Sequence, residues 1–222
     1  AGFRWFNHPE TNVWDKDGND AGTFTPKDWS VDVGYARKLT DDLSVGATAR
    51  FIRSDMSGLD KDDAANAVAF DLGLYYRRNF ENWEQSQWAV GLQASNFGTK
   101  IDYGYGKYDQ ASKVAVGGMI DHVFTDKHRL QGTLDVVCQV LPNTNWGGSV
   151  GVEYTLLQIV AIRGGYHYGE QDNKLQRYGT LGCGVGCHHI KADFAYLIPE
   201  KDSLLKNTWQ VALSIDLGLF KR

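Results

Sequence analysis

Hydrophobic residues recur with a period of two along almost the whole chain, and no stretch with helical periodicity competes. Trp29, Val31, Val33 and Tyr35 alternate with Ser30, Asp32, Gly34 and Ala36. Phe70, Leu72, Leu74 and Tyr76 alternate with Asp71, Gly73 and Tyr75, and Leu130, Leu134 and Val136 oppose Gln131, Thr133 and Asp135. Near the end, Ile190, Ala192, Phe194, Tyr196 and Ile198 alternate with Lys191, Asp193 and Ala195, followed by Trp209, Val211, Leu213, Ile215 and Leu217. Successive side chains of a strand point to opposite faces, so each run has one apolar and one polar face. The pattern predicts strands at 2–8, 28–38, 43–54, 67–78, 87–97, 112–124, 128–139, 145–155, 159–169, 176–186, 189–198 and 207–218. With no linker and no shift in composition, the expectation is one all-β domain over 1–222.

The polar face narrows the choice of architecture. It carries Asp32, Arg50, Asp71, Asp121, Asp135, Glu153, Arg163, Lys191, Asp193 and Asp216 among Gly, Ser and Thr. A soluble sandwich turns such charges to water, whereas a membrane barrel encloses them, where mixed signs can pair across the lumen. Alternation alone fits both, but connection length separates them. Short links at 39–42, 80–86, 125–128, 156–158 and 187–188 alternate with longer ones at 9–27, 55–66, 98–111, 170–175 and 199–206. Only the link at 140–144 is short where a long one is due. Transmembrane barrels have short periplasmic turns and long extracellular loops, and a strand needs about 9–11 residues to cross.

Composition agrees with many strands and tight turns: 25 glycines, 4 prolines and 13% aromatic residues. Mean hydropathy is negative, but a barrel hides from hydropathy because only alternate residues face lipid. No apolar run has the length of a transmembrane helix. Ala1-Gly2-Phe3-Arg4-Trp5 lacks the order of a signal peptide, so a leader is expected to have been removed or the N-terminal part to be missing. The net charge of −4 is interspersed, which argues against nucleic-acid binding. Three cysteines make no disulfide framework. Trp29, Trp83, Trp88, Trp146 and Trp209 fall at or near strand ends, where aromatic girdles sit, or where they would cap a soluble barrel core.

A longer pattern carries a resemblance. Residues 29–39 (Trp-Ser-Val-Asp-Val-Gly-Tyr-Ala-Arg-Lys-Leu) run on to 43–55, and are joined by 91–101 and by 193–199 with Asn207-Thr208-Trp209. In this order they resemble the PorV family, FadL-like outer-membrane proteins of the Bacteroidetes type IX secretion system. The resemblance implies a fourteen-stranded barrel, of which this chain supplies about twelve strands and lacks an N-terminal pair. At Leu141-Pro142-Asn143-Thr144 the family pattern implies a longer proline-containing loop, so a sister FadL-like protein of the same system is the alternative. The implied role is non-enzymatic and cofactor-free. The barrel would bind C-terminal signal domains of exported cargo and pass them to surface-attachment machinery. The implied partners are translocon and attachment subunits, the cargo domains and outer-membrane lipid. Three other functions remain open: a FadL-like channel for hydrophobic small molecules, a lipid A-modifying barrel enzyme, and a soluble barrel or sandwich that binds a ligand.

Several local constellations bear on chemistry. Asp15-Lys16-Asp17-Gly18-Asn19-Asp20 opens like a calcium loop, but Asp20 and Pro26 stand where glycine and glutamate are required, so an Asp-Gly turn is the better reading. Cys183 and Cys187, followed by His188 and His189, have zinc-ligand chemistry. Four residues of extended strand nevertheless separate the two sulfurs by about 13 Å, and no metal is expected. Gly182, Gly184 and Gly186 precede no helix that would cradle phosphate and suit close packing on a crowded face. His167 should point inward beside Arg163; a base for a serine would need that serine from a neighbouring strand. The expected lumen network is Asp71, Asp135, Glu153, Arg163, His167, Lys191 and Asp193, with no catalytic or metal residue. The expected partner-contact loop is Tyr103, Tyr105 and Tyr108, since aromatics are enriched where proteins meet.

Overall fold

The computed structural model describes all residues except 15–16, 56–63, 84, 105, 171–176, 188–189, 201–206 and 216–222, and the side chains of 13, 21 and 215. The described residues form strands and connections only: β1 (Gly2–Asn7), β2 (Thr11–Trp14), β3 (Asp20–Phe24), β4 (Lys27–Lys38), β5 (Leu43–Asp55), β6 (Ala64–Asn79), β7 (Gln87–Gly98) and β8 (Ile101–Asp102) come first. They are followed by β9 (Lys107–Tyr108), β10 (Lys113–Thr125), β11 (His128–Gln139), β12 (Asn145–Leu156), β13 (Val160–Gly169), β14 (Tyr178–Cys187), β15 (Ile190–Pro199) and β16 (Trp209–Ile215). Twelve of them build one antiparallel sheet in chain order, β1-β4-β5-β6-β7-β10-β11-β12-β13-β14-β15-β16. Such an up-and-down antiparallel meander is the topology from which transmembrane barrels are built.

The twelve expected strands are these twelve, with small shifts at their ends; β6 starts three residues early, at Ala64. The long connections at 9–27 and 98–111 hold structure that periodicity did not announce, the two-stranded sheets β2-β3 and β8-β9. Both are too short to show an alternating pattern of their own.

The chain divides into two compact units. The first comprises Ala1–Leu74, Gln93–Val114 and Gln139–Thr144. Here β4 and β5 pair from Lys27 opposite Asp55 to Lys38 opposite Ser44. Their link is closed by the Leu39 amide donating to Leu43 O at 2.8 Å and the Leu43 amide donating to the Thr40 hydroxyl at 3.0 Å. The second unit comprises Tyr75–Leu92, Ala115–Cys138 and Asn145–Arg222. It contains the β12-β13 hairpin, paired from Gly147 opposite Gly169 to Leu156 opposite Val160. Leu157 and Gln158 both turn through positive φ, 56° and 58°, and Ile159 N–H donates to Leu156 O at 3.0 Å. That is the I′ geometry that matches strand twist.

Side-chain burial is inverted relative to a water-soluble protein. Val33, Tyr35, Leu72, Leu134, Ile162, Val211 and Leu213 are each more than 60% exposed. Among the described residues the buried hydrophobic positions are alanines, Ala65, Ala67, Ala69, Ala89 and Ala161. The largest fully buried side chains are Asp121, Ser86 and Ser112. Each large aliphatic side chain forgoes about 1.5–3 kcal/mol when left in water, so a sheet with this outer face needs hydrocarbon around it. Aromatic residues mark the strand ends. Trp209 opens β16, and Trp146 and Trp88 are the second residues of β12 and β7. In the β6-β7 connection Trp83 lies against Phe80 and His122, with ring centroids 5.3 and 4.7 Å apart.

Candidate functional site

The polar face of the second unit is organised around Arg163. On β13 it stands opposite Glu153 of β12 and opposite Gly182 of β14. Its guanidinium donates to the Glu153 carboxylate and, reaching over β14, to the Asp193 carboxylate on β15. Glycine makes this reach possible. A Cβ at Gly184 would collide with the Asp193 carboxylate and lie 3.2 Å from an Arg163 nitrogen, and one at Gly182 would lie 3.7 Å from the Arg163 Cβ. Lys191, two residues before Asp193 on β15, lines with Asp193, Glu153 and Arg163 a charged cavity of about 520 Å³. Asp121 lies on the same cavity wall, only 2% exposed. Arg129 grips it bidentately at 2.6 Å for both bonds, and Gln87 donates to it at 2.8 Å. A planar guanidinium suits this pairing, because two parallel donors meet two carboxylate oxygens.

Further along the same strands the chemistry changes. His167 stands opposite Ser149 in the β12-β13 register. The Ser149 hydroxyl and His167 Nδ1 lie 2.9 Å apart, and the imidazole stacks on Tyr178 at 5.0 Å. The serine comes from the neighbouring strand. Asp135 sits beside Gly117, where a Cβ would approach its own Cβ to 3.2 Å.

In the first unit Asp71 is the centre of a separate cluster. It accepts from Arg50 at 2.9 Å and from the Asn96 amide at 2.7 Å, while Arg50 donates to the Asn96 side chain at 2.7 Å. Asn96 has φ 59°, a conformation that asparagine tolerates better than most residues. The seven expected network residues are thus not one constellation. Glu153, Arg163, Asp193 and Lys191 gather at the charged cavity, His167 pairs with Ser149, and Asp71 and Asp135 have other neighbours.

Of the expected contact loop, Tyr103 and Tyr108 meet edge to face, 5.9 Å between centroids. The Tyr103 hydroxyl donates to Ser54 at 2.9 Å, whereas Tyr108 is half exposed. Tyr105 lies outside the described residues, as do Asp15, Lys16, His188 and His189. In the β8-β9 hairpin, the Gly104 amide donates to Asp102 at 3.0 Å and Lys107 pairs with it at 3.2 Å. The amide first, then the ammonium, hold the Asp102 carboxyl below the usual range. Cys183 and Cys187 stand on the apolar face of β14, both exposed.

Sequence reasoning did not single out Gln87, Arg129, Asn96 or Ser149. Nor did it find the buried Ser86, whose hydroxyl lies 2.9 Å from His122 Nδ1 and accepts from the Val123 amide at 3.2 Å. Arg129 was within reach, because alternation with Leu130 places it on the polar face. Ser149 was too, because the short 156–158 turn fixes the register that sets it against His167.

A family model for the type IX secretion system protein PorV matches residues 1–145. The chain belongs to the PorV family. It is therefore an outer-membrane component of the type IX secretion system, and this PorV-family membership agrees with an all-β sheet whose large apolar side chains are exposed. No curated protein matches the chain. The family is one of secretion components and not of enzymes.

Proposed function

We propose that this chain binds the C-terminal signal domains of exported cargo at its long-loop end and passes them to the surface-attachment machinery. The observation that carries this reading is the family match to a type IX secretion protein. Two features of the molecule favour it. The wall leaves large apolar side chains exposed, a surface suited to lipid, and would hold its loops at a fixed height. The β8-β9 hairpin is braced from below by the Tyr103–Ser54 hydrogen bond and leaves the Tyr108 ring half exposed, an arrangement suited to a protein partner. On this reading the polar face lines the lumen, the network at Arg163 is structural, and the long loops are extracellular. A FadL-like channel for hydrophobic molecules would want an apolar path, whereas the cavity beside Arg163 is lined by Asp121, Arg129, Glu153, Lys191 and Asp193. Affinity purification from detergent-solubilised outer membranes tests the proposal. Co-purification of translocon subunits and of cargo bearing C-terminal signal domains is the expected result. Recovery of the barrel alone, from cells that are actively exporting, overturns it.

A further inference from the structure

We propose that the hollow on the polar face of β11 to β14, lined by hydroxyl, amide and aromatic groups beside one engaged ion pair, is a binding site for a neutral sugar ring. The inference goes beyond the secretion reading and does not rest on it. The hollow measures about 350 Å³, within the size range of small-ligand sites, and its polar lining is largely neutral: Gln131, Thr133, Ser149, His167, Tyr178 and Thr180.

Three observations point to this ligand class. The first is the seating of two hydroxyls. Gly151 and Gly165 make room for Thr133 and Thr180, whose Oγ1 atoms lie 3.0 Å from where a Cβ at either glycine would stand. The second is spare hydrogen-bonding capacity. Gln131 donates only to the Met119 sulfur, leaving its carbonyl oxygen open, and Thr133 makes one contact, at 3.5 Å, to Gly151 O. Thr180 stands over Gly165 with its hydroxyl facing the same space. The third is the wall formed by Tyr178 stacked on His167, the kind of flat apolar surface on which the C–H face of a sugar rests.

Charge decides between ligand classes. The ions that touch the hollow are already engaged: Glu153 is held by Arg163, and Arg163 is shared between Glu153 and Asp193. An anionic or cationic ligand would find no free counter-ion there, whereas a neutral polyol exchanges hydroxyl for hydroxyl with water. One ring offers few atoms, so the dissociation constant should be on the order of 1 mM.

Saturation-transfer NMR on the full chain, in a zwitterionic detergent without a sugar headgroup, tests the site. The probes are glucose, galactose and mannose, with glucuronate and triglycine as comparisons. Saturable binding of a neutral hexose is expected, weakened at least about tenfold in the double variant Thr133→Val, Thr180→Val, which removes two hydroxyls and keeps their shape. Leu134→Ala, on the opposite face, should bind as the parent does. If the double variant does not fold, as judged by heat-modifiable gel mobility, Gly151→Ala, whose Cβ would press on the Thr133 hydroxyl, carries the same test. Absence of saturable binding by all three hexoses overturns the proposal. So does binding that survives both sets of substitutions, or binding of triglycine or glucuronate in place of the hexoses.

Discussion

Arg163 on β13 is hydrogen-bonded to Asp193 on β15, two strands away, across a β14 that carries only glycine beneath the guanidinium. Adjacent strands lie about 4.8 Å apart, so a next-but-one pair needs a long side chain and nothing between. Gly184 supplies the gap. Gly184→Val should therefore break the pair and strain the wall, with a loss of about 1–3 kcal/mol. Arg163→Gln removes the charge without adding bulk. It should cost about 1–2 kcal/mol, below the value for a fully buried pair because the arginine side chain is 39% exposed. Urea unfolding in lipid vesicles reads both. An unchanged midpoint in Gly184→Val would show that the Arg163–Asp193 pair contributes nothing.

Leu134 and Asp135 test which face meets lipid. Leu134 is 62% exposed in mid-strand, and Asp135 points the other way. Leu134→Arg should destabilise the protein in bilayers by about 2–4 kcal/mol, the cost of a charge near the midplane on the lipid side. Asp135→Asn, on the polar face, should stay within about 1 kcal/mol. Equal effects of the two substitutions would contradict the assignment of faces.

How much of this was legible in the sequence depends on what carries the signal. A strand announces itself by alternation over many residues, so all twelve wall strands could be read, with Trp209 and Val211 marking even the last. β8, of two residues, has no period to detect. Faces were legible for the same reason: the exposure of Val31 and Val33 against the half-buried Asp32 follows from parity. Partners were legible only where a tight turn fixes register, as between Glu153 and Arg163. The Arg163–Asp193 contact needed two registers and the absence of a side chain at Gly184. Asn96 was hidden because its role depends on a positive φ, which periodicity does not report.

Leu157 and Gln158 occupy the two positions of the β12-β13 turn that require positive φ, where Asn-Gly is the favoured pair. A non-glycine residue in this conformation costs about 1–2 kcal/mol. Gln158→Gly should therefore stabilise the protein by about 1 kcal/mol, somewhat less than the strain relieved, because glycine also gains freedom in the unfolded chain. Loss of stability in the same unfolding assay would mean that the Gln158 side chain, which donates to Asp126 O at 3.4 Å, outweighs backbone strain.

Asp102 gives the β8-β9 hairpin a pH dependence whose sign follows from its lowered pKa. The carboxylate is favoured in the folded hairpin by the Gly104 amide and the Lys107 ammonium. Its contribution is complete above the ordinary aspartate value of 3.8 and is lost as pH falls through the lower folded value. The hairpin should accordingly hold its shape from neutral pH down to mildly acidic conditions and loosen only in stronger acid. Because the Asp102 side chain is 49% exposed, the change should stay local to Ile101–Tyr108. Amide exchange followed by NMR at a series of pH values checks this, with rates corrected for the intrinsic pH effect. Protection at Gly104 should fall in acid for the parent chain, and in Asp102→Ala, which has no acceptor for the Gly104 amide, it should be low and independent of pH. Protection that persists in acid, or that survives the substitution, would assign the stability of the hairpin to Tyr103 and its Ser54 partner instead.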